Sequence, residues 1–151
     1  MVSRKERIAV VFDTNVFVRA FLSRSSNSAS RRVVRLWLLE KRLQLVVSRE
    51  MLNEYLGIFE RVLNMDHDLI EKWRDRFTSD SRTTLVRLGR RFTQSRDPDD
   101  NLVLATADVG RVKYLLSNDR DLLDLPNAVK RLWKFQISTP KQFLQTWKSS
   151  G

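Results

Sequence analysis

The chain has no cysteine and a single histidine, His67, among its 151 residues. Those two shortages remove disulfide frameworks, thiolate metal sites, cysteine nucleophiles and any mechanism built on a histidine pair, and they argue against zinc. Long apolar runs are missing as well. The run Ile8 to Phe12, after the basic segment MVSRKER, is too short for a signal-peptide core and far too short to span a bilayer. A cytoplasmic protein with no membrane segment is therefore expected. Acids are the minority charge, 18 against 28 lysines and arginines, for a formal net charge of +10. The excess is clustered at Arg31, Arg32 and Arg35, at Arg87, Arg90 and Arg91, and at Lys130, Arg131 and Lys134. Any one cluster is ordinarily a solvated helix face. The overall balance is harder to dismiss, because self-repulsion at this charge is relieved by a polyanionic partner, and the arginine groups are candidate contacts to its phosphates.

The length and a hydrophobic content of 42% suit one domain over residues 1–151. Ile8 to Phe12 is a continuous, β-branched apolar run, the pattern of a strand buried on both faces of a parallel sheet. Similar runs occur at Leu43 to Val47 and Tyr114 to Leu116, with a weaker one at Phe135 to Ser138. Between them the spacing predicts helices over Ala29 to Arg42 and Arg49 to Leu63, and a further one capped by Asp66 and running through Phe77. Residues 81 to 92 fit neither period. Asp97-Pro98 reads as an N-cap followed by proline in the first turn, and Pro140 opens a last helix through Trp147. Strands alternating with helices imply an α/β sandwich around a mainly parallel sheet. Trp37, Tyr55 and Trp73 sit in apolar stripes and read as core, His67 as a surface residue, and Trp133 as packing with a lesser claim to base stacking.

The acids fall where such a sheet binds ligands, at the carboxyl ends of its strands. Asp13 directly follows the first strand and Asp119 the Tyr114 to Leu116 run. Taken alone, each is more commonly a turn or capping residue. The stretch SRDPDDN places Asp97, Asp99 and Asp100 at one helix start, where the helix dipole favours negative charge. Asp100 shares its column with Val103, Leu104 and Ala107 and is expected to face inward, whereas Asp99 looks toward Thr106 and Gly110 and is expected in water. In the helix after the second strand, Glu50 and Glu54 are close to even. Several carboxylates converging without histidine or cysteine make an oxygen-rich site suited to Mg²⁺ or Mn²⁺, and on a basic protein the natural substrate is a phosphodiester.

Four separated motifs, VFDTNVFVRA, SREMLNEY, RDPDDNLVLATA with YLLSNDRDLL, and ISTPKQFL, keep their order from about Ile8 to Leu144. Together they resemble the PIN-domain ribonucleases, in the VapC-like branch of toxins from type II toxin–antitoxin systems. The resemblance implies a PIN-like three-layer α/β/α sandwich and metal-dependent cleavage of RNA. It implies Asp13, Glu54, Asp100 and Asp119 as the catalytic and metal-holding acids, and so favours Glu54 over Glu50. Asn15 would orient the site, Ser48 and Ser117 would be hydroxyl supports, and Asp97 and Asp121 would have supporting roles. A cognate antitoxin and a homodimer are further implications.

Rival readings fit less well. A haloacid-dehalogenase-type phosphotransferase needs an acid where Asn15 stands, and a receiver-like domain needs its acids in another order. A nuclease-fold module that binds RNA or protein without cleaving is the alternative of a different class, and the presence of all four acids argues against it.

Overall fold

The computed structural model describes residues 7–25, 27–89 and 98–150, apart from the side chains of residues 98–101 and 148–150. In chain order the elements are β1 (Ile8–Phe12), α1 (Thr14–Leu22), α2 (Ala29–Leu38), β2 (Leu43–Ser48), α3 (Arg49–Arg61), α4 (His67–Ser79) and β3 (Thr83–Val86). They continue with α5 (Pro98–Val109), β4 (Tyr114–Leu116), α6 (Arg120–Leu123), α7 (Asn127–Lys130), β5 (Gln136–Ser138) and α8 (Pro140–Ser150). The strands form one sheet in the order β3-β2-β1-β4-β5, and every pairing is parallel. This is the α/β sandwich around a parallel sheet that the alternation of patterns predicts, in the three-layer α/β/α form that the resemblance implies.

β1 and β2 are apolar runs because helices cover both faces of the sheet: Val10, Val11 and Phe12 are fully buried, as are Leu43, Leu45 and Val47. Side chains that accept a backbone N–H fix where the helices begin, namely Asp13 for α1, Ser28 for α2, Ser48 for α3 and Asp66 for α4. α2 stops at Leu38, short of the expected Arg42, because the chain turns through a left-handed residue at Lys41 (φ 54°) and Arg42 N–H bonds back to the Leu36 carbonyl. The stretch of mixed pattern after α4 contains β3, a four-residue edge strand whose residues are all half-buried. The expected cap Asp97 lies outside the described residues.

An aromatic cluster anchors α1, α3 and α4 to one another. Phe17 meets Phe12, Trp37, Tyr55 and Phe77 edge-on at centroid distances of 5.5, 6.0, 4.9 and 5.7 Å. Trp37 and Tyr55 are fully buried and Trp73 nearly so, as their apolar stripes predict. Trp133 stacks on Phe135 at 5.4 Å and is half-buried, and His67 is exposed at the start of α4.

Candidate active site at the β1–β4 seam

Strand order sets the location. From β1 the chain builds outward to β2 and β3 on one side, then returns to lay β4 and β5 on the other. The crevice beyond the carboxyl ends of β1 and β4 is thus the point where the topology reverses, the usual ligand position in an open parallel sheet. Asp13 N–H donates to the Leu116 carbonyl at 2.9 Å, extending the β1–β4 ladder by one residue and holding the aspartate at that crevice.

Asp13 is held by neutral partners. Its Oδ1 accepts Thr14 N–H at 2.8 Å, the cap of α1, while Oδ2 accepts the Ser117 hydroxyl at 2.7 Å and the Asn15 amide at 3.1 Å. Ser117 is itself fully buried, and its Oγ accepts Asp119 N–H at 2.9 Å and Asn15 Nδ2 at 3.3 Å. Asn15 closes the loop by accepting Asn118 N–H at 3.0 Å. Asp119 caps the short α6 by accepting Asp121 N–H at 3.0 Å. Two separate strand ends are therefore tied into one hydrogen-bonded unit, with Asn15 and Ser117 as its centre.

Burial raises the Asp13 carboxyl above its ordinary range. The bonds from Ser117 and Thr14 pull it back, the negative charge of Asp119 adds to the rise, and the Asn15 bond opposes it. The folded protein therefore holds that proton more tightly than the unfolded chain. Protonation of Asp13 stabilises the fold at low pH, and the contribution is lost as pH rises through the elevated value.

Glu54 approaches from α3. The neighbouring Tyr55 donates its hydroxyl to the Phe12 carbonyl, one residue before Asp13. Burial drives the Tyr55 phenol well above its usual range, and the charges of Asp13 and Glu54 both act in that direction, so both carboxylates lie within electrostatic reach of one hydroxyl. Glu50, a turn earlier, is half-buried, and one of its carboxylate oxygens is enclosed without a hydrogen-bond partner among the described residues.

α5 runs antiparallel to the strands, so its first turn, with the backbone of Asp99 and Asp100, lies on the carboxyl side of the sheet. The side chains of both residues lie outside the description, as do Asp97, Arg90 and Arg91. The column below Asp100 faces the core as its periodicity predicts, but the column below Asp99 is not a solvent face. Val103, Leu104 and Ala107 are buried, yet Thr106 in the Asp99 column is fully buried too, and Gly110 abuts Val46. Both columns face protein. Among the described residues no group of three or more acidic or histidine side chains is close enough to hold a metal ion.

Other expected residues take distinct places. Ser48 is buried, caps α3 through Met51 N–H at 3.1 Å and contacts the Thr106 hydroxyl at 2.8 Å. It fastens α5 to the end of β2, whereas Ser117 bonds an acid directly. Asp121 is exposed in α6. Arg31 and Arg32 are half-buried at the start of α2, next to Ser30, whose hydroxyl accepts the Asn118 amide at 3.1 Å. Arg35 is exposed in the last turn of α2, and Arg87 is exposed just past the carboxyl end of β3.

Sequence reasoning misses two residues. Asn118 joins the site to α1 and α2, accepting Arg19 at 3.2 Å while donating to Ser30. The Thr14 hydroxyl, beside Asp13, is buried without a hydrogen-bond partner among the described residues. The S-N-D and D-T-N triplets are the only signal for either, and a turn asparagine or a first-turn threonine gives the same pattern.

No curated protein matches the chain by sequence. In fold it is similar to a chain of VapBC2 from Rickettsia felis, solved bound to a DNA fragment from their promoter. The TM-score is 0.54 over 87% of this chain and 98% of that one, at 16% sequence identity. The PIN domain model matches residues 9–121, well over half of the sequence, and the chain belongs to the PIN domain family.

Proposed function

We propose that the protein is a metal-dependent endoribonuclease that hydrolyses RNA phosphodiester bonds, and that it is the toxin of a type II toxin–antitoxin pair. The observation that carries this reading is the seam itself, where Asp13, half-buried and close enough to feel the charge of Asp119, is held by neutral donors at the topological switch point. Membership of the PIN domain family and the fold shared with a VapBC protein support it.

The residues suit a hard divalent cation. Asp13 and Asp119 offer carboxylate oxygens, the described partners of Asp13 are neutral, and the raised Asp13 carboxyl marks a site where negative charge lacks full compensation. Asp13 and Asp119, with Glu54 and Asp100, are the residues proposed to hold Mg²⁺ or Mn²⁺. A bound cation of this kind supplies polarisation of the phosphate and a lowered pKa for water. The chain's own contribution is orientation. Ser117 and Asn15 fix one face of Asp13, the Thr14 amide fixes the other oxygen, and the Tyr55 hydroxyl holds the strand end from which Asp13 projects. An antitoxin that covers this crevice, and a homodimer, belong to the same proposal.

The test is cleavage of a cellular RNA pool by the purified chain in Mg²⁺, in Mn²⁺ and in excess EDTA, beside Asp13→Asn, Asp100→Asn and Asp119→Asn. Cleavage should require the metal and disappear in each variant. Cleavage that survives EDTA, or persists equally in the variants, overturns the assignment. Binding without cleavage under every condition would establish the non-catalytic module instead.

A further inference from the structure

The opposite edge of the sheet has the opposite charge. Arg7, Arg42, Arg82 and Lys113 immediately precede β1, β2, β3 and β4, and Lys134 lies two residues before β5. With strands about 4.8 Å apart, this sets a row of cations along the amino edge. Four of the five are engaged. Arg82 pairs with Asp80, Arg42 lies over the Trp147 ring at 5.7 Å, Arg7 donates to Gln44 and to the Ser81 carbonyl, and Lys113 lies over the ring of its neighbour Tyr114 at 6.0 Å.

The β4–β5 end is arranged differently. There a cleft of about 500 Å³ opens between α7 and the starts of both strands, and Lys113, Lys130, Arg131 and Lys134 line it. No carboxylate does so among the described residues. Lys130 is fixed by donating its ammonium to the Leu123 carbonyl, whereas Lys113, Arg131 and Lys134 are exposed. Tyr114 and Phe135 contribute ring surface, and the amides of Asn127 and Gln136 add neutral donors. Like charges gathered round one concavity repel one another, and the arrangement becomes favourable when an anion enters.

We propose that this cleft binds the phosphodiester backbone of a single-stranded nucleic acid, as an anchor separate from the acidic seam. Cations that track phosphates beside aromatic surface are the combination that holds single strands. Lys113 and Ser117 stand at the two ends of β4, about 13 Å apart along an extended chain. A strand held in the cleft would have to cover at least that distance to meet the seam. The proposal does not rest on the nuclease reading, because binding can be measured without cleavage.

The experiment uses Asp13→Asn as the parent and follows the anisotropy of a fluorescein-labelled oligouridylate over a salt series. Combined Lys113→Gln, Arg131→Gln and Lys134→Gln changes should lower the slope of log affinity against log salt by about 2, at roughly 0.7 per lost phosphate contact. Between 50 and 200 mM salt, the parent should therefore lose about 20-fold more affinity than the variant. Should the triple variant fail to fold by circular dichroism, Lys134→Gln alone should lower the slope by about 0.7. An unchanged slope overturns the proposal. So does competition by inorganic phosphate or polyglutamate that matches unlabelled oligouridylate at equal charge, since either would make the cleft a general anion patch.

Discussion

Ser117→Ala removes one hydroxyl, and the structure defines what goes with it. The hydroxyl donates to the Asp13 carboxyl at 2.7 Å and accepts from the Asp119 amide at 2.9 Å, and Ser117 itself is fully buried. A hydrogen bond to a charged group is worth about 1.5–3 kcal/mol, and an amide left without a partner costs about 1–3 kcal/mol. Asp119 is half-exposed, so water recovers part of the second loss. The expected destabilisation is about 2–4 kcal/mol. For a domain of this size that lowers Tm by roughly 5–15 °C, read by circular dichroism. A double-mutant cycle with Asp13→Ala isolates the bond. If the hydroxyl acts through Asp13, the coupling energy should be about 1.5–3 kcal/mol. A coupling below about 0.5 kcal/mol, within ordinary additivity, would refute the account of Ser117 as the support of Asp13.

Tyr55→Phe should cost about 1–3 kcal/mol, because it strands the Phe12 carbonyl in a fully buried position; a denaturant midpoint equal to the parent's would contradict that. Gly110→Ala should destabilise by about 1–3 kcal/mol, since the new methyl would lie 2.4 Å from Val46 Cγ1 and force α5 away from β2; a Tm at or above the parent's would show that the contact yields. At acid pH the Arg82 side chain, by its bonds to Asp80, holds that carboxyl down to about 2, so the pair contributes stability that is present above 3.8 and lost as pH falls through about 2. Arg82→Met should therefore flatten the pH dependence of unfolding in that window, and an unaltered profile would assign the acid limb to other carboxylates.

How much was legible in the sequence depended on whether one element or several decide the outcome. β1, β2 and β4 are buried on both faces, and a continuous apolar run records that directly. Asp13 and Asp119 follow from strand ends plus the rule that parallel sheets bind at their carboxyl edge. β3 is a half-buried edge strand of threonine, leucine and valine, so neither period dominates and the pattern is blank. The solvent face of α5 carries Asp108 and Val109, so the columns of Asp99 and Asp100 both run along its buried side and periodicity does not tell the two apart. The different tasks of Ser48 and Ser117 were invisible for another reason. Each directly follows a run of apolar strand residues, and only the neighbouring strand decides whether the hydroxyl meets an acid or a helix cap.

The opposed charge of the two edges follows from the topology. Helices in a parallel α/β sandwich run antiparallel to their strands, so α1, α3 and α5 point their N-termini at the carboxyl edge and their C-termini at the amino edge. The positive helix ends favour anionic groups, and the negative ends cationic ones, by about 0.3–1 kcal/mol per group. Arg19, Arg35, Arg61 and Arg76 all fall in last turns, consistent with that bias. A chain of net charge +10 can thus hold Asp13, Glu54 and Asp119 near one end of its sheet, because the backbone itself supplies part of the compensation there. The carboxylates themselves, unlike the helix ends, work against any polyanion that approaches the seam. Under the proposed function, long-range attraction would bring a nucleic acid to the protein, while short-range repulsion at the seam would hold its phosphates off until a cation joined the two.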